Sequence, residues 1–109
     1  MRTRRLGGVR AVPRVRRGSL GALAALRGEY ETAEAHFAAA EAFTDALGAR
    51  YSAAMDDLAR AHLHLARGEA DDLVRAEHYA TRSVENAREN GYGGIEQRAS
   101  AFLAELPAA

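Results

Sequence analysis

With 109 residues there is room for one domain, and the apolar fraction of 48% lies in the globular range. The absence of cysteine excludes disulfides, thiolate zinc sites and cysteine nucleophiles, and the absence of lysine excludes a Walker A phosphate loop and Schiff-base chemistry. The formal net charge is zero, but Arg2, Arg4, Arg5, Arg10, Arg14, Arg16 and Arg17 crowd an acid-free start, whereas the other 92 residues carry 8 arginines against 15 acids.

The start, residues 1–18, holds Gly7, Gly8, Pro13 and the arginines without sustained periodicity, and reads as a flexible basic tail. Its arginines interrupt any apolar core of a secretory signal. Pro13 and weak amphipathicity count against an organelle transit peptide. No stretch approaches the roughly 18 apolar residues of a membrane span, so the expectation is a soluble cytoplasmic protein with no membrane partner.

The body, residues 19–106, reads as five helices. Helix one starts near Ser19, and Leu20, Leu23, Ala24 and Leu26 recur at helical spacing until Gly28. Helix two spans 29–47 with a stripe of Tyr30, Ala33, Phe37, Ala40, Phe43 or Thr44, and Leu47. Its first turn carries Glu29, Glu31 and Glu34, and Gly48 caps its end. Helix three spans 50–67, with Tyr51, Met55, Leu58, His62 and Leu65 on one face, and Gly68 ends it.

Asp71 or Asp72 is placed to cap helix four, whose stripe is Leu73, Ala76, Ala80, Val84 or Ser83, and Ala87, before Asn90 and Gly91. Helix five starts near Gly94 and carries Ile95, Ala99, Phe102, Leu103 and Leu106, with Pro107 stopping it and 107–109 as a short tail. No strand-like alternation intervenes, and short turns make neighbouring helices antiparallel. A plain helical bundle would fit the same periodicity.

The middle of the chain repeats. "LRGE" at 26–29 matches "ARGE" at 66–69 at a shift of 40, while Ala33-Glu34 matches Ala76-Glu77, and Gly48 matches Gly91, at a shift of 43. The change in shift places a three-residue insertion in the turn after Gly68. A period of about 40 residues made of two helices marks a stacked array of helical hairpins.

The first copy resembles the tetratricopeptide motif. Leu20-Gly21 stand at its large–small pair, Ala24 at the next large position, and Gly28-Glu29-Tyr30 at the inter-helix turn and its aromatic. Ala33, Phe37 and Ala40 match the small–aromatic–small stripe, Ala76, Ala80 and Ser83 repeat it with Tyr79 displaced by one, and Asp45 departs from the frequent proline. Small Ala33 and Ala40 let paired helices cross closely, Phe37 fills the space between them, and Gly28 permits the reversal. The resemblance implies an all-α fold of hairpins stacked as a short α-solenoid, with Gly28, Tyr30, Ala33, Phe37, Ala40, Gly48, Gly68, Ala76, Ala80 and Gly91 defining the repeat.

Over residues 20–106, "LGALAALRGEYETAEAHF", "LGAR", "LARG", "RAEHYA" and "ENG" are similar to the C-terminal helical repeats of bacterial LuxR-type transcriptional regulators and cyclase-linked signalling ATPases. With no lysine for the phosphate loop, ATPase activity does not carry over. What the resemblance implies is the repeat module, as a fragment, a remnant or a free-standing adaptor.

Candidate chemistry is sparse. His62 and His64 lie about 200° apart round a helix and cannot chelate one ion, and His36 and His78 fall near matching repeat positions. Asp56-Asp57 and Asp71-Asp72 point about 100° apart with no EF-hand spacing around them. Ser19, Ser52, Ser83 and Ser100 lack a nucleophile context. The expectation is therefore no enzyme, no cofactor and no metal.

The arginine tail can neutralise phosphates, which makes a nucleic-acid-associated regulator the alternative. It lacks aromatics for base stacking, precedes an acidic body, and is equally suited to lie on the chain's own acidic surface. The leading expectation is a protein-interaction scaffold whose groove is lined by the first helices of the hairpins. Ala22 and Leu26 come from helix one, and Met55, Asp56, Arg60 and His62 from helix three. Two hairpins and a closing helix are short for such an array, so self-association through an exposed apolar face of helix one or five is expected as well.

Overall fold

A computed structural model describes residues 17–107. The basic start, and the nucleic-acid contact read from it, lie outside those residues apart from Arg17 and Gly18, and residues 108–109 lie outside them too. The described chain is all-helical: α1 (Arg17–Leu26), α2 (Tyr30–Leu47), α3 (Arg50–Arg67), α4 (Asp72–Asn90) and α5 (Gly93–Glu105). No helix among them is long and apolar enough to cross a membrane.

Each helix packs on the next in sequence, and α1 with α3 and α3 with α5 also touch. The hairpins α1–α2 and α3–α4 therefore lie side by side, and α5 continues the row. The helix exits show why. Gly48 and its counterpart Gly91 adopt left-handed φ of 65° and 75°. In both, the next residue closes the helix with a six-residue backbone bond, Ala49 N–H to the Thr44 carbonyl at 2.9 Å and Tyr92 N–H to the Ala87 carbonyl at 2.8 Å. The same bond ends α1, from Glu29 N–H to the Ala24 carbonyl at 2.9 Å.

The inserted turn after Gly68 departs from this pattern. There Gly68 bonds the His64 carbonyl, and the Glu69 N–H is taken by the Asp72 carboxylate at 2.8 Å. Neither Asp71 nor Asp72 caps α4 with its side chain. Asp71 stands at the N-cap position, but the insertion turns the Asp72 carboxylate back toward the preceding turn.

Matching positions of α2 and α4 are all buried: Ala33 and Ala76, Phe37 and Ala80, Ala40 and Ser83, Thr44 and Ala87. Phe37 packs with Ala24, Ala33 and Leu63, while Ala76, Ala80 and Val84 join Leu58, Ala61, Ala99 and Phe102. A third cluster of Ala54, Ala87 and Ile95 closes the end where Tyr51 and Tyr92 meet edge to face at 5.0 Å. Between the two possible stripe residues of α2 the structure buries Thr44 and leaves Phe43 exposed.

Two stripes differ from the expectation. In α1 the buried residues are Gly18, Gly21 and Ala24, and Leu23 and Leu26 are exposed. A β-carbon on Gly21 would come within 2.9 Å of the Phe37 ring. Smallness, not apolar bulk, is what lets α1 approach. In α3 the buried arc is Ala54, Asp56, Asp57, Leu58, Arg60, Ala61, Leu63 and His64, whereas Tyr51, Met55 and Leu65 are exposed. Helix α3 touches all four other helices, so its buried arc is wide and holds charges that pair across helix junctions.

Candidate functional site

The wide arc of α3 leaves one face uncovered, and that face forms a groove with α5. Met55, Leu58, Ala59 and His62 recur along α3 at the spacing i, i+3, i+4 and i+7, and Arg98, Ala101, Phe102 and Glu105 recur identically along α5. The two rows face each other across an open groove of about 540 Å³. The Phe102 ring, 8% exposed, is part of the floor. His62 meets it edge-on with centroids 4.6 Å apart, and partial burial pushes the imidazole below its ordinary pKa, which favours the neutral form. Between its ends the groove is lined by no Asp, Glu or Arg side chain.

Its two charges stand at the ends of the α5 row. Arg98 and Glu105 are exposed and about 10 Å apart along the helix. Arg98 Nε donates to the Gly94 carbonyl of its own helix at 3.4 Å, and neither side chain makes an ion pair among the described residues.

On the other side of α3 lies a charged cluster joining α2, α3 and α4. Arg60 donates from Nε to both Glu34 oxygens at 3.1 and 3.0 Å and from a terminal nitrogen to Glu41 at 2.9 Å. Arg82 of α4 grips Asp57 at 2.7 and 3.1 Å and reaches Glu41 at 3.1 Å. The Tyr79 ring lies 4.4 Å from the Arg60 guanidinium and 5.3 Å from that of Arg82, and stacks on His64 at 5.5 Å.

Next to it, fully buried Asp72 accepts from His64 Nδ1, from two Arg67 nitrogens at 2.9 Å each, and from the Glu69 N–H. The Arg67 hydrogen bonds, foremost, hold its carboxyl well below the usual range against the opposing effect of burial, and Glu69 N–H and His64 add to them. Burial pushes Glu41 up, but Arg60 and Arg82 outweigh it and the net shift is downward. Burial pushes Asp57 up, and there Arg82 offsets it only in part. His64 Nε2 is buried 3.3 Å from a Glu34 oxygen without a hydrogen-bond partner. These groups face one another between helices, an arrangement that holds three helices in register.

The structure brings together two of the six groove residues read from the sequence, Met55 and His62. Asp56 is buried with its carboxylate against Gly18, and Arg60 lies in the charged cluster, so both face away from the groove. Ala22 is half-buried, and Leu26 is 85% exposed at the end of α1. The α5 wall, Arg98, Ala101, Phe102 and Glu105, was not anticipated, because Phe102 reads as core and α5 as a closing helix. Its signal was nevertheless present as helical spacing across residues 98–105. The cluster left none, since its ion-pair partners lie 19 to 41 residues apart. No group of His, Asp and Glu among the described residues is arranged to hold a metal ion. Compared with protein-family models, curated proteins and solved structures, the chain matches none of them.

Proposed function

We propose that this chain is a non-catalytic protein-interaction module of tetratricopeptide-like hairpins, holding a segment of a partner protein in the groove between α3 and α5. The open apolar floor of Met55, Leu58, Ala59, Ala101 and Phe102 between two helices carries the reading. A face of that kind gains free energy when covered. The sequence resemblance to the repeats of bacterial signalling proteins suits the same role.

Ala101→Glu tests it, because Ala101 is exposed and a charge there leaves the core intact while spoiling the floor. Affinity capture with the unaltered chain, with Ala101→Glu, and with Thr32→Glu on exposed α2 surface should yield a partner that Ala101→Glu loses and Thr32→Glu keeps. A partner retained equally by all three would remove the groove from the interaction.

A further inference from the structure

We infer that the groove takes an amphipathic helix of the partner, carrying an acidic residue beside Arg98 and a basic residue beside Glu105, seven positions apart and flanking an apolar stripe. The inference rests on the groove being the docking site proposed above, and it specifies the chemistry of the occupant.

The first ground is what the walls offer a peptide backbone. Both walls are helices, whose N–H and C=O groups are spent on their own ladders. An extended segment gains affinity by adding its backbone to an exposed sheet edge, and no strand exists among the described residues. Laid on Met55, Leu58, Ala59, Ala101 and Phe102 it would press unsatisfied amides against apolar side chains, with the His62 ring as the single polar group of that floor. A helix satisfies its backbone internally and presents side chains alone. The lining residues recur with helical period on both walls, so their ridges interleave with those of a third helix.

The second ground is charge. Arg98 and Glu105 stand two helical turns apart with no ion-pair partner among the described residues, and no other Arg, Asp or Glu lines the groove between them. Arg60, Arg67, Arg75, Arg82 and Arg88 each meet a carboxylate within the fold, and of Arg27, Arg50 and Arg98, which meet none among the described residues, only Arg98 lines the groove. The rim is therefore polarised lengthwise, and an occupant of opposite polarity is favoured over its reverse. Seven helical positions cover the same distance as residues 98 to 105 of α5, which sets the spacing.

The probe is a displayed library of helical peptides with varied surface positions, selected on the full chain. The expected selection is an apolar stripe flanked by an acid and a base seven apart, in peptides that gain helical circular dichroism when bound. Arg98→Glu and Glu105→Arg should each weaken these peptides roughly threefold or more, with a larger effect at low salt. The doubly reversed chain should prefer a peptide whose acid and base are exchanged.

Peptides that need the groove, as judged by Ala101→Glu, yet ignore both charge reversals would overturn the charge pattern while leaving the docking site standing. Peptides that need the groove but stay extended, with charges three or four apart, would overturn the helix. Selected peptides that all bind Ala101→Glu undiminished would remove both this inference and the interaction reading beneath it.

Discussion

Asp72 shows how a single side chain can be committed to the fold. The three-residue insertion after Gly68 turns its carboxylate inward, where Arg67, His64 and the Glu69 N–H surround it at zero exposure. A carboxyl held below its unfolded value contributes stability that is present above that value, near 3.9, and lost as pH falls through the folded one. Glu41, also lowered, has the same sign, whereas Asp57, pushed up by burial, works the other way and favours the fold less once ionised. Asp72→Asn should cost about 3 kcal/mol at neutral pH, the lower end for breaking a buried pair, because Arg67 keeps 18% exposure and regains water. Its melting temperature should also fall less than that of the unaltered chain between pH 5 and about 3. Equal acid sensitivity in thermal melts of the two would show that Asp72 is not the group being titrated.

Helices α2 and α4 owe their positions to small residues at matching places. Ala33→Leu and Ala40→Leu should each cost roughly 1–3 kcal/mol in denaturant titrations, since 0% and 3% exposure leave no room for three more carbons. Ala35→Leu, exposed on the same helix, is the control and should leave the midpoint nearly unchanged. Where burial follows one stripe, periodicity reveals most of it: α2, α4 and α5 bury or half-bury the residues read from sequence except Leu47, which is 65% exposed at the end of α2, and the glycines mark the helix ends within a residue or two. It failed for α1 and α3. In α1 glycines face inward and leucines outward, against the rule that apolar bulk marks the core. In α3 contact with four helices erases the single stripe, and the charges that fill the arc are matched by residues far away in sequence. The groove was legible only in part for the same reason, since Met55 and His62 lie on the stripe whereas Asp56 and Arg60 belong to the arc.

For the molecule as a whole, stability is distributed along the row. Helix α3 packs on every other helix, whereas α1 meets α2 and α3 alone and has no packing contact with α4 or α5 among the described residues. Amide hydrogen exchange should therefore be slowest in α3 and its hairpin partner α4, and fastest in α1, where glycine and alanine bury little area. Equal protection of α1 and α3 would mean that all five helices open as one unit.

The matched exits after α2 and α4 bear on how such a molecule grows. Gly48 and Gly91 share a left-handed conformation and a closing bond, so the chain leaves both hairpins in the same manner and enters α3 and α5 on the same side of the row. A duplicate hairpin spliced in after Gly48 would find its first helix already aimed along the line of α3. Lengthening would add a fresh lane to the α3–α5 channel while leaving every existing joint as it was.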